Sequence, residues 1–192
     1  MTSLPLLRVS NFGYAKAGRI LFENLSFTLF PGELIVLMGP NGSGKTTFLR
    51  CLAGIPQPLS TIEKRQKVTQ SYVGHLNALK LSLTVQQNLL QQTAATPEQL
   101  TQILSARGLS PLADRPLRTL SAGQQRQVAL TRLSLSGSKL WLVDEATTHL
   151  DEAASTQFWS ILQAHLKIGG AAVISSHIPV PILDAKVITL HG

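Results

Sequence analysis

Acidic residues are scarce in this 192-residue chain, with ten Asp and Glu against seventeen Lys and Arg. The formal charge of +7 comes from that scarcity more than from basic clusters. The densest patch is Glu63-Lys64-Arg65-Gln66-Lys67. Aromatics make up only 5% of the residues, and no stripe of Lys and Arg is interleaved with stacking rings. Nucleic acid is therefore not an expected partner. The surplus charge reads as a solvated basic surface, with an anionic membrane surface or a membrane partner as the next possibility. Cys51 stands alone, which excludes a disulfide framework and favours a reducing compartment. It sits among apolar residues and reads as core filler. No apolar run approaches the ~20 residues that cross a bilayer. The first residues, Met1-Thr2-Ser3-Leu4-Pro5, lack the charged-then-apolar pattern of a secretory signal. What remains is the composition of one globular domain over residues 1–192, 44% hydrophobic and large enough for a substantial core.

The chain is organised around Gly39-Pro40-Asn41-Gly42-Ser43-Gly44-Lys45-Thr46-Thr47, a match to the phosphate-loop pattern. The apolar run Leu34–Met38 precedes it as a buried strand, and Phe48–Ala53 follows as the first turns of a helix. This is the context the motif requires. Glycines let the backbone wrap phosphate oxygens, and successive N–H groups at a helix start present positive potential to a polyanion. Lys45 is expected to reach the β- and γ-phosphates of a nucleotide, and the Thr46 hydroxyl to bind Mg²⁺.

Around this loop the pattern alternates between strands and helices. Leu6–Ser10 and Leu25–Leu29 read as antiparallel strands. Tyr14 lies between them; it is either a ring that stacks on a nucleobase or an ordinary strand-end tyrosine. Pro31-Gly32 is a turn, and Gly54–Pro58 a break. Ser71–Gly74 is a short strand ending at His75. Residues from about 84 to 118 read as a small helical insertion, with Thr96-Pro97 a good helix start. Leu120-Ser121-Ala122-Gly123-Gln124 opens another helix, with Ser121 and Gln124 in a capping-box pattern. Leu140–Val143 is an apolar strand that ends in Asp144-Glu145, and acids there lie where an α/β sheet binds ligand. Asp144 suits the Mg²⁺ shell, and Glu145 a base that polarises water. Ala171–Ser176 is a further buried strand. His177 at its end falls on the same sheet edge and is expected to contact a γ-phosphate. Lys186–Leu190 closes the sheet. His149, His165 and His191 have no such context.

The order and spacing of the phosphate loop, Leu120–Gln124, Asp144-Glu145, Asp151 and His177 resemble an ATP-binding-cassette ATPase over essentially the whole chain. The resemblance implies an α/β phosphate-loop fold: a mainly parallel sheet core, an N-terminal antiparallel β subdomain and a small helical subdomain. It implies ATP and Mg²⁺ as cofactors and a head-to-tail pair of subunits. Leu120, Ser121, Ala122, Gly123 and Gln124 would then act on the partner's ATP, and Asp151 would line the dimer seam. The Gly74-His75 pair, Leu79–Thr84 and Ala122 look like the ATP-binding subunit of the haem exporter family of cytochrome c maturation. That likeness implies separate membrane-spanning subunits and a coupling role for the loop at His75. It also implies a peripheral position on the cytoplasmic face of a bacterial inner membrane, or the matrix face of an organellar one. The shortness of the chain implies, as in that family, no C-terminal regulatory domain.

Three departures accompany the resemblance. Ala146 replaces the usual Pro after the catalytic Glu, which removes a preset φ and implies a more mobile turn. His75 replaces the usual Gln. The segment from Pro56 to Val68 is short, which implies a trimmed antiparallel subdomain. Two other readings compete: a soluble cassette ATPase acting on nucleic acid or ribosomes, and a small-molecule kinase. The coiled-coil insertions and paired cassettes expected of the first are absent, and the Leu120–Gln124 helix and His177 have no place in the second. A transporter with another cargo stays open.

Overall fold

The computed structural model describes residues 4–16, 18–55, 62–64 and 68–191, with the backbone alone at 62–64. The basic patch at Glu63–Lys67 and most of the segment from Pro56 to Val68 lie outside the described side chains. By internal contacts the chain divides into two compact units. The first comprises residues 1–75, 138–146 and 162–192; the second, residues 76–137 and 147–161.

The first unit holds two sheets. β1 (Leu7–Lys16) and β2 (Arg19–Leu29) form an antiparallel hairpin, and β4 (Ile62–Lys64) pairs with the outer side of β1. The hairpin is longer than the apolar alternation suggests, because bulges break its period. The register shifts between Val9 and Phe12 and again between Phe12 and Tyr14. Asn11 adopts φ 47° and Asn24 φ 56°, a conformation that Asn tolerates better than most residues. The bulges put both Phe12 and Gly13 on the buried side.

The second sheet is parallel throughout, in the order β5 (Gln70–Val73), β6 (Leu140–Val143), β7 (Ala171–Ser175), β3 (Leu34–Met38), β8 (Lys186–Thr189). All of β6 and β7 is buried, as expected of parallel strands covered on both faces. The helix α1 (Lys45–Leu52) follows β3 and buries Phe48, Leu49 and Leu52. Phe12, Phe22 and Phe48 pack ring against ring with centroids 5.0–5.3 Å apart, joining hairpin and helix in one core. Cys51 belongs to that core, where burial pushes its thiol up to about 11 and leaves it unreactive.

The second unit has its own core of Val85, Leu89, Leu100, Leu104, Leu109, Leu117, Leu120 and Val128. It is built from α2 (Val85–Gln92), α3 (Pro97–Ala106) and α4 (Ala122–Leu135). Each of the three starts with a complete capping box, Thr84 with Gln87, Thr96 with Gln99 and Ser121 with Gln124. The fifth helix, α5 (Glu152–Lys167), begins in this unit and ends in the first. Among the described residues, no helix is long and apolar enough to cross a membrane.

Candidate nucleotide site

Register decides which residues of the parallel sheet meet. β3, β5, β6 and β7 run in the same direction, so the phosphate loop, His75, Asp144-Glu145 and His177 all leave from one carboxyl edge. The loop from Gly39 can be built only with glycine at its turns. Gly39, Gly42 and Gly44 take φ of 142°, 83° and 98°, and a Cβ on Gly39 would run into the Leu190 carbonyl oxygen. Lys45 is buried, and its ammonium donates to the carbonyls of Gly39 at 2.7 Å and Pro40 at 2.9 Å. Ser43 is buried too, and its Oγ has no hydrogen-bond partner. A glycine-shaped loop, one orphaned hydroxyl and a helix start fit a polyanion.

Beside the loop, the Thr46 Oγ1 donates to Asp144 Oδ2 at 2.6 Å. The other Asp144 oxygen accepts from Ser175 Oγ, also at 2.6 Å. Ser175 in turn accepts the Glu145 N–H at 2.7 Å. A hydroxyl and a carboxylate converging in this way form half of a hard-oxygen site. Mg²⁺ suits such a site, because it takes one or two protein ligands and completes its shell with phosphate and water. Among the described residues, no cluster of three or more His, Cys, Asp or Glu is placed to hold a metal ion.

Glu145 stands in a left-handed turn with φ 49°. Its carboxylate lies between two imidazoles: Oε1 is 3.3 Å from His177 Nε2, and Oε2 is 3.4 Å from His75 Nδ1. The residue after it, Ala146, is buried and donates its N–H to the Ser175 carbonyl at 3.3 Å. A proline could not make that bond. The turn that lacks Pro carries a hydrogen bond that Pro would forbid. Tyr14 stacks beside Phe22 with centroids 6.3 Å apart and an interplanar angle of 29°. With Lys16, Thr47, Arg50 and Ile55 it lines a depression next to the end of the phosphate loop. A strand-end ring and a base-stacking ring are both compatible with that placement.

The remaining candidates belong to the helical unit. Ser121 Oγ accepts the Gln124 N–H at 3.2 Å, and Gln124 Oε1 accepts the Ser121 N–H at 3.0 Å. Leu120 is buried and anchors the helix start, while Ser121 and Ala122 are exposed. Gly123 is needed for close approach: a Cβ there would stand 2.6 Å from the His149 carbonyl oxygen. Asp151 is exposed, and its Oδ1 accepts the Ala154 N–H at 2.8 Å, capping α5. Ser175 was missed by sequence reasoning. A hydroxyl within an apolar strand carries no pattern that distinguishes a polar anchor from filler.

Comparison with known proteins agrees with this geometry. The family model described as ABC transporter matches residues 22–148. Relatives from several bacteria carry the name cytochrome c biogenesis ATP-binding export protein CcmA. The one from Ruegeria pomeroyi is 42% identical, covering 95% of this chain and 89% of its own length. The Paracoccus denitrificans protein is 40% identical over 97% and 90%, and the Cupriavidus necator protein 37% over 93% and 86%. Among solved structures, an ABC transporter ATP-binding protein from Pyrococcus furiosus superposes with a TM-score of 0.85. It covers 96% of each chain at 20% identity, which speaks for the fold alone. A chain of a metal-chelate type ABC transporter in an inward-facing conformation gives a TM-score of 0.82 at 26% identity, covering 97% of this chain and 79% of its own. The edge-on assembly of phosphate loop, acidic strand end and histidine, and the identity carried over nearly the whole chain, lead to one conclusion: the chain belongs to the ABC transporter ATP-binding proteins, in the cytochrome c biogenesis ATP-binding export protein family.

Proposed function

We propose that this ATP hydrolase powers a haem exporter of cytochrome c biogenesis as one of a head-to-tail pair of subunits docked on separate membrane-spanning subunits. It is peripheral, on the cytoplasmic face of a bacterial inner membrane or the matrix face of an organellar one. The observation that carries this reading is the Glu145 carboxylate beside His177, on the sheet edge that also carries the phosphate loop and the Thr46–Asp144 pair.

Gly39 to Thr47 hold the phosphates, with Lys45 turning from its two carbonyls to the β- and γ-phosphates. Tyr14 receives the base. Thr46 and Asp144 hold Mg²⁺, which when bound supplies charge neutralisation to the triphosphate. Glu145 polarises the attacking water, and His177 holds the γ-phosphate. The exposed start of α4, with Ser121 and Gly123, closes over the partner's ATP. Asp151 lies along the seam between the two subunits. The loop at His75 carries the signal to the membrane subunits.

The test is Glu145→Gln. The amide keeps the shape but cannot act as a base, so the variant is expected to bind MgATP normally and hydrolyse it about 10²–10⁴-fold more slowly. Single-turnover ATPase measurements check this, and near-normal turnover would move the base elsewhere.

A further inference from the structure

Resting on the assignment of Glu145 as the base, we propose that His75 is a positioning residue for it: the imidazole Nδ1–H holds one oxygen of the Glu145 carboxylate. The observation is the pair of contacts on that carboxylate, one imidazole to each oxygen, at 3.3 Å and 3.4 Å. A carboxylate has a free torsion at its end, and a base needs its oxygens fixed within hydrogen-bond reach of one water. The backbone of Glu145 is fixed by the Ser175 hydroxyl, and the tether at Ala146 fixes the next amide. These bonds stop at the main chain. The two histidines act on the carboxylate itself.

They do not act alike. His177 is assigned to the γ-phosphate, so its hold on Oε1 weakens when nucleotide is bound. His75 has no phosphate to serve, and its hold on Oε2 survives. The side chains are 58% exposed for His75, 40% for His177 and 24% for Glu145. An exposed contact at this distance is worth little to stability, and its value lies in orientation. His75 leaves the end of β5, and Glu145 the end of its neighbour β6. The pairing of Val73 with Val143 sets the two side chains opposite one another.

The contacting atom makes the test sharp. Nδ1 is matched in reach by the amide nitrogen of Asn, whereas the amide nitrogen of Gln reaches as far as Nε2. The experiment is steady-state ATP hydrolysis by the free subunit, without membrane subunits, together with binding of a non-hydrolysable ATP analogue. His75→Ala is expected to lower kcat about tenfold, with KM and analogue affinity within twofold of wild type. His75→Asn is expected to recover most of the rate, and His75→Gln much less. A rate within twofold of wild type in His75→Ala, no recovery with Asn, or better recovery with Gln overturns the proposal. The Glu145→Gln variant in the same assay separates the two claims. Normal turnover there removes the base assignment and this inference with it. Slow turnover there with an unaffected His75→Ala removes only the inference.

Discussion

In the phosphate-loop unit the candidate side chains lean on one another, whereas in the helical unit they are satisfied by their own backbone. Thr46, Asp144 and Ser175 form a chain of 2.6 Å hydrogen bonds that extends to the Glu145 amide, and two histidines flank the Glu145 carboxylate. Ser121 and Gln124 instead close a capping box between themselves and leave Ser121 and Ala122 in solvent. The first arrangement fixes charged groups around a ligand. The second completes a helix start and holds a small polar surface in readiness, with no charged group of its own. The contrast supports a division of labour in which one half of a chain binds and reacts, and the other half serves the ligand of a second chain.

A change at Lys45 breaks the first half alone. Lys45→Ala removes a charge-assisted contact worth about 1.5–3 kcal/mol, so ATP affinity falls roughly 10–100-fold while the helical unit keeps its fold. Calorimetric titration with ATP measures it. Ser121→Arg breaks the second half alone. ATP binding to the isolated subunit is expected to stay within about twofold of wild type, with hydrolysis abolished, because the cation occupies the ground where a partner's γ-phosphate must dock. Full activity in that variant would contradict the division of labour.

Ser175→Ala probes the network itself. It removes the Ser175 hydrogen bonds to one oxygen of the buried Asp144 and to the Glu145 amide, at about 1–3 kcal/mol of stability. Turnover is expected to fall with it, since both residues lose their orientation. Urea unfolding and kcat, measured side by side, show both losses.

The smallest effect lies away from the nucleotide. His165 stacks on Trp141 with centroids 3.8 Å apart, and burial, opposed by backbone hydrogen bonds, holds its pKa below the ordinary value. The unfolded chain takes up a proton near pH 6.5 that folded His165 resists. Stability is therefore full above that pH and declines as pH falls through it. His165→Phe keeps the stack and removes the titration, so urea midpoints between about pH 7.5 and 5 are expected to flatten.

Much of the first unit could be read directly from the chain. The phosphate loop has its strand before it and its helix after it, and the apolar run to Asp144-Glu145 ends at the expected edge. The caps at Thr96 and Ser121 are local and legible for the same reason, since three-residue spacing contains the whole interaction. What escaped depends on distant partners. Ser175 reaches Asp144 across 31 positions, and His75 reaches Glu145 only because β5 and β6 are neighbours. Asn88, fully buried, binds the N–H and C=O of Lys80 as well as the Thr84 carbonyl, and nothing in its surroundings in the chain marks it as a hub. In the hairpin, bulges at Asn11 and Asn24 disrupt the alternation on which strand reading relies.

The central claim is that a phosphate-loop unit and a helical unit from different chains make one ATP site. The direct measurement is the mass of the Glu145→Gln protein in solution by light scattering, with MgATP, with MgADP and without nucleotide. A dimer with MgATP and a monomer in the other two conditions is the predicted result. A monomer in all three, with ATP demonstrably bound, would contradict it.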